Sequence, residues 1–181
     1  VGRTGSGKTT CLDITLGLLR PLEGSVRVGG RRLGPGAHAA WRRRVGYVPQ
    51  DIFLLDASVR HNIAFGEGEQ EIDESRIEAA VEAAALADVV GGLPKGLDTE
   101  IGERGVRLSG GQRQRIGIAR ALYRDPDVVF FDEGTSALDG ETEARVVRNL
   151  RDRGKMLVMV AHRLASIEAA DCIFVFDHGR V

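Results

Sequence analysis

Several residue types that mark specialised protein classes are scarce in this chain. Its 181 residues include two cysteines, one tryptophan, two methionines and five prolines, and aromatic residues make up only 5%. Cys11 and Cys172 are too few and too scattered for a disulfide framework. Each falls in an apolar stretch, so both are expected to be buried thiols in a reducing compartment. No apolar run approaches the roughly twenty residues that cross a bilayer, and no signal segment is visible. Attachment to a membrane is therefore expected only through another domain or chain. The net charge of −1 removes any bulk electrostatic reason for nucleic-acid or membrane-surface binding, and no nucleic-acid partner is expected. Arg42-Arg43-Arg44, beside Trp41, is a local basic cluster that reads better as a solvated helix end than as a binding patch. There is no internal repeat and no low-complexity tract. A hydrophobic content of 43% at this length supports a proper core in one or two domains.

Glycine, in contrast, is plentiful, with 24 residues, and two glycine clusters carry chemistry. Gly2-Arg3-Thr4-Gly5-Ser6-Gly7-Lys8-Thr9 fits the phosphate-loop pattern in full, followed by Thr10 and a run with helical spacing from Cys11 to Leu19. Such a loop curls backbone N–H groups around a β-phosphate at a helix N-terminus. Lys8 would reach the β- and γ-phosphates, and Thr9 would offer its hydroxyl to Mg²⁺. Pro21 and Gly24 are expected to close the helix. Taken alone, the loop could also be a glycine-rich turn that merely caps a helix.

Val128-Val129-Phe130-Phe131 followed by Asp132-Glu133 weighs against that plainer reading. A short, wholly apolar run is expected to be a strand buried on both faces of a parallel sheet. Carboxylates at its C-terminal end stand at the ligand edge of an open α/β sheet. There Asp132 would belong to the Mg²⁺ shell, and Glu133 would orient or deprotonate the attacking water. The second glycine cluster, Leu108-Ser109-Gly110-Gly111-Gln112, heads another helix but has no lysine of its own. A glycine-capped helix N-terminus is an anion site, so a chain that already holds one phosphate would offer this cap to a nucleotide held by another chain.

The order of Lys8, Gln50, Leu108–Gln112, Asp132-Glu133, Ser136-Ala137-Leu138-Asp139 and His162 resembles the ATP-binding domain of an ABC ATPase across essentially the whole chain. The resemblance implies a role for each matching position. Gln50 matches the glutamine that touches Mg²⁺ and the attacking water and senses the partner domain. Ser109, Gly110, Gly111 and Gln112 match the signature that grips the γ-phosphate of the opposite subunit. Asp139 matches the aspartate at the dimer seam, and His162 the switch histidine at the γ-phosphate. Plainer roles stand beside these: a turn residue for Gln50, a strand-end residue for His162, and helix caps for Ser136 and Asp139. The segments Thr99–Gly105 and Ala161–Ile167 have the flavour of exporter-type members, where the first lies against the coupling helices of the membrane domain.

The expected fold is therefore a P-loop NTPase of RecA-like α/β type: a mostly parallel sheet flanked by helices, with an inserted helical subdomain. Residues 1–50 and 123–181 would form the core, and residues 51–122 the helical subdomain carrying the signature cap. Within the core, strands are expected around Ser25–Val28, Val45–Val48, Asp127–Phe131, Met156–Val160 and Cys172–Phe176. Helices are expected over Val59–Phe65, Glu74–Ala85, from Gln112 to Leu122, and Glu141–Arg153. The strands that precede the phosphate loop in the family, and its adenine-stacking aromatic, are missing, so a fragment of a longer protein is expected. Gly134 stands where the family usually has alanine and is expected to loosen the turn beside Glu133. The implied activity is ATP hydrolysis by a dimer closed over two ATP–Mg²⁺, driving export or flipping by a membrane domain at the cytoplasmic face of the membrane. That domain is expected upstream in the same polypeptide, and the partner is a second ATP-binding domain, identical or not. The alternatives are a soluble ABC ATPase of DNA maintenance or translation, and a non-hydrolysing nucleotide-gated module. A long coiled-coil insert would be expected of the DNA-maintenance class, and loss of Glu133 or His162 of the non-hydrolysing one.

Overall fold

The computed structural model describes residues 1–102, 108–161, 168 and 170–181. In chain order the first part comprises α1 (Lys8–Leu16), β1 (Arg27–Val28), β2 (Arg31–Arg32), α2 (His38–Arg42) and β3 (Val45–Val48). Then follow β4 (Ala57–Ser58), α3 (Val59–Ile63), α4 (Glu74–Ala83), α5 (Ala87–Gly91), β5 (Glu100–Ile101) and α6 (Gly110–Leu122). The last elements are β6 (Val128–Asp132), α7 (Gly140–Asp152) and β7 (Met156–Val160).

Strands β3, β6 and β7 form a parallel sheet with β6 in the middle. All five residues of β6 are buried, as a strand covered on both faces must be. Its side chains alternate between two hydrophobic clusters. Val128 and Phe130 pack with Leu12 and Leu16 of α1, Trp41 of α2, and Val160. Val129 and Phe131 join a larger cluster containing Ile116 and Ile118 of α6, Val146 and Leu150 of α7, and Ile77 of α4. The α/β architecture with a parallel sheet flanked by helices thus follows from one alternating strand.

Residues 51–122 hold five of the described helices and short strands around α6, and the pair β4–β5 is antiparallel. Helix α4 starts at Asp73, whose side chain accepts from Ser75 N and Arg76 N, and buries Ile77, Ala80 and Ala83. Helix α6 crosses from this segment onto the sheet, so its apolar face belongs to the same cluster as Val129.

Five expectations are corrected. Helix α1 ends at Leu16, not near Pro21, because Gly17 adopts φ 73° and its N–H returns to the Asp13 and Ile14 carbonyls as a left-handed cap. The strand around Ser25–Val28 shrinks to Arg27–Val28, an exposed hairpin arm with little apolar surface to bury. Cys172–Phe176 forms no strand; Phe176 makes an isolated parallel bridge with Gly2. Beside that bridge, Phe176 N donates to Val1 O and the Val1 amino group donates to Phe174 O. Both cysteines are exposed: Cys11 lies off the Leu12–Leu16 face of α1, and Cys172 opens that unladdered segment. Gly134 is a close-packing position and not a loose one, since a Cβ there would lie 2.7 Å from both the carbonyl oxygen and Cγ1 of Val48. The arginine run behaves as a helix end: α2 stops at Arg42, and Arg44 forms an exposed ion pair with Asp127.

Candidate functional site

The parallel register fixes where the chemistry collects. Val48 pairs with Phe131, and Asp132 with Val160, so the three strands reach their C-terminal edge together. Gln50, exposed, follows β3, and Glu133 follows β6. Ala161 follows β7; His162 after it lies outside the described residues, as do Arg163–Ile167 and the Glu103–Gly105 part of the exporter-like segment.

The phosphate loop lies next to β6. Gly2, Gly5 and Gly7 adopt φ of 146°, 78° and 100°, backbone that an L side chain resists. Gly7 is the N-cap of α1, so the loop delivers its last N–H groups to a helix N-terminus. Arg3, Thr4 and Gly5 are exposed, as are Thr9 and Thr10 in the first turn. Ser6 N donates to Arg3 O at 3.1 Å, closing the loop, while Ser6 Oγ is buried without a hydrogen-bond partner. Lys8 is only 8% exposed, and its Nζ donates to Gly2 O and Arg3 O, both at 2.8 Å. A buried ammonium folded back on loop carbonyls is poised to exchange them for phosphate oxygens.

Thr9 and Asp132 meet directly, the hydroxyl donating to the carboxylate. Burial pushes the Asp132 carboxyl above the usual range, opposed by that Thr9 bond, raised further by the Glu133 and Asp13 carboxylates, and lowered by Lys8. Burial likewise raises the Tyr47 phenol, helped by Asp132 and Asp13. Asp13 and Tyr47 are site neighbours that sequence spacing did not reveal; only the helix period of α1 and the alternation of β3 could have pointed to them. Glu133 sits in the left-handed region at φ 53°, an unusual backbone for a glutamate and one that turns the chain sharply off the sheet. A hydroxyl and one buried carboxylate beside a phosphate loop are the donor set through which Mg²⁺ is usually held, together with phosphate oxygens. Among the described residues no cluster of three or more His, Cys, Asp or Glu could hold an ion by itself.

The second glycine cluster forms a separate group. Ser109 is the N-cap of α6, its Oγ accepting from Gln112 N at 3.2 Å, while Gln112 Oε1 accepts from Ser109 N at 2.8 Å. This reciprocal capping box leaves the Ser109 O–H proton available to an outside acceptor. Ser109 and Gly110 are exposed, and Gly111 packs closely on the turn that contains Asp139: a Cβ on it would lie 3.0 Å from Ala137 O. Asp139 caps α7, accepting from Thr142 N at 2.8 Å and from the Thr142 hydroxyl at 2.7 Å, so its plainer role is real. Gln114, absent from the sequence-based set, is buried and accepts from Ala137 N at 2.7 Å.

A family model described as ABC transporter matches residues 1–136. The ATP-dependent lipid A-core flippase of Cupriavidus pinatubonensis is 45% identical over 184 aligned residues, covering 100% of this chain and 31% of that protein. The flippase of the same description from Alkalilimnicola ehrlichii is 44% identical, again over 100% of this chain and 31% of its own length. The chain thus spans under a third of these relatives. A solved structure of a bacterial Atm1-family ABC exporter with ATP bound superposes with a TM-score of 0.90 at 37% identity, over 99% of this chain and 32% of that one. No described helix is long and apolar enough to cross a membrane. A likeness that runs from the phosphate loop through both glycine clusters to β7 and beyond exceeds what any ATP-binding loop would share by itself, and the chain belongs to the ABC transporter family as its ATP-binding ATPase domain.

Proposed function

We propose that this domain pairs with a second ATP-binding domain around two ATP–Mg²⁺ and that closure and hydrolysis drive export or flipping by a membrane-spanning domain of the same polypeptide. The observation that carries this is the second exposed, glycine-capped helix N-terminus at Ser109, in a chain that already has a complete phosphate loop. In this reading Gly2–Thr10 wrap the phosphates of the chain's own nucleotide, with Lys8 leaving Gly2 O and Arg3 O to reach the β- and γ-phosphates. Thr9, Asp132 and Gln50 would hold Mg²⁺, whose contribution is to neutralise charge on the phosphate oxygens. Glu133 takes or orients the proton of the attacking water, and His162, by resemblance, contacts the γ-phosphate. The Ser109 hydroxyl and the N–H groups of Gly110, Gly111 and Gln112 meet the γ-phosphate held by the partner, with Asp139 at the seam. Export or flipping, at the cytoplasmic face of a membrane, is supported by the flippases and the exporter to which the chain is similar.

Glu133→Gln tests the reading. The amide keeps the size of the side chain but replaces one acceptor oxygen with an NH2 donor and cannot accept the water's proton, so turnover should fall at least about 100-fold while ATP is still bound. In the full-length protein the variant should accumulate as an ATP-bound closed dimer, measurable by cross-linking across the seam. Turnover within a few-fold of the parent would remove Glu133 from catalysis, and absence of the trapped dimer would contradict pairing around ATP.

A further inference from the structure

Helix α6 carries a buried amide in an otherwise apolar face. Ile116, Gly117, Ile118 and Ala119 are all buried, and Gln114 is 2% exposed among them. An aliphatic side chain would fill that volume without a polar atom to satisfy, so a glutamine there implies a hydrogen bond with a purpose. The bond is to a turn: Gln114 Oε1 accepts from Ala137 N at 2.7 Å, across 23 residues of sequence.

That turn begins at Glu133. From the left-handed Glu133 the chain folds so that Ser136 N donates to Glu133 O at 3.0 Å and Leu138 N to Thr135 O at 3.0 Å, ending at the Asp139 cap of α7. The face it presents to α6 is close-fitting. A Cβ on Gly110 would lie 3.5 Å from Ala137 Cβ, and one on Gly111 3.0 Å from Ala137 O. Two hydrogen bonds and the short backbone between them therefore connect Glu133 to α6: Ser136 N to Glu133 O, and, one residue on, Ala137 N to Gln114, whose helix begins at the Ser109 cap.

We propose that Gln114 is a positioning residue that locks the Ser136–Asp139 turn to the signature cap, so that the hydrolysis site of one nucleotide and the cap offered to the other move as a unit. The proposal rests on the reading that Ser109 acts on a partner's nucleotide. A shift of Glu133 on binding or hydrolysis is then handed to Ala137 N and, through Gln114, to the cap facing the second ATP. The two sites become thermodynamically linked, without any contact between Gln114 and nucleotide.

The test is steady-state ATP hydrolysis by the full-length protein against ATP concentration, with equilibrium affinity for a non-hydrolysable ATP analogue measured in parallel. Gln114→Met, similar in length but without the acceptor, is expected to lower kcat about tenfold and bring the Hill coefficient to about 1, with analogue affinity at the phosphate loop within about twofold of the parent. Gln114→Glu retains an oxygen that accepts from Ala137 N and should recover most of both quantities. If the methionine variant does not fold, Gln114→Asn, one methylene too short to reach Ala137 N, carries the same expectation. A loss confined to stability, with parental kcat and cooperativity, overturns the proposal, as does a glutamate variant as impaired as the methionine one or a parent whose Hill coefficient is itself about 1. Glu133→Gln dimer trapping keeps the two readings apart: a dimer that still forms, with unaltered cooperativity in the Gln114 variants, removes only Gln114, whereas no dimer removes the pairing itself.

Discussion

Replacing Lys8 with alanine separates nucleotide binding from catalysis, and the structure gives its expected size. In the loop, Nζ donates two hydrogen bonds of 2.8 Å, to Gly2 O and Arg3 O, from a side chain that is 8% exposed. In the proposed reading ATP takes the place of those carbonyls, and the two ammonium–phosphate bonds together gain about one charged hydrogen bond over the two ammonium–carbonyl ones. One charged hydrogen bond contributes about 1.5–3 kcal/mol, which sets the expected loss of affinity in Lys8→Ala at about 10- to 150-fold. Stability should change little, because Arg3 is exposed and Gly2 half-buried, leaving both freed carbonyls within reach of water. Titration calorimetry with a non-hydrolysable ATP analogue reads the affinity, and thermal melting of the nucleotide-free variant reads the stability. Affinity within twofold of the parent, in a variant that melts normally, would refute the placement of the triphosphate on this loop.

Two further outcomes concern the fold. Asn62 is fully buried, donating to the carbonyls of Leu55, Ala57 and Ser58 and accepting from Leu55 N and Arg120 Nη2. Asn62→Ala should therefore lower unfolding free energy by about 3 kcal/mol in urea titrations, and a change under about 0.5 kcal/mol would contradict that network. Acid should also destabilise the chain. Asp73 is held below the ordinary aspartate range by the Ser75 hydroxyl, Asp98 by Arg60, Asp127 by Arg44 and Asp139 by the Thr142 N–H. A carboxyl depressed by folding contributes stability that is complete above its unfolded pKa and lost as pH falls through its folded one. Melting temperature should thus be insensitive to these groups near neutrality and drop below about pH 4, and a rise on acidification would contradict the sign.

Sequence reading succeeded where local pattern and tertiary environment coincide. Strand β6 was legible because four consecutive apolar residues, Val128–Phe131, face buried clusters, and Met156–Val160 because it pairs alongside with the same period. The phosphate loop and the Ser109 cap were legible because backbone geometry at a helix start demands glycine and a short polar side chain. Failures came from contacts between distant positions. Nothing near Gln114 in sequence points to Ala137, nor near Arg120 to Asn62 and to Phe53 O. Polar residues inside helical patterns look solvated until their partner is known. The close approach of Val48 to Gly134 is equally non-local, and it reverses the effect assigned to that glycine. Cys11 misled for the opposite reason: its neighbours are apolar, but a helix has an outer face, and it lies there.

In the proposed reading the Ser109 cap serves a nucleotide bound by another subunit. Complementation between two inactive chains measures it directly. In the full-length protein, Lys8→Ala removes one chain's grip on its own ATP but leaves its cap, and Ser109→Arg blocks the cap but leaves the phosphate loop. Each variant alone should be nearly inactive. Co-assembled, they pair one intact phosphate loop with one intact cap across the seam, and part of the lost ATP hydrolysis should return. Mixed dimers, shown to have formed by differential tagging, that remain as inactive as either parent would contradict action between subunits.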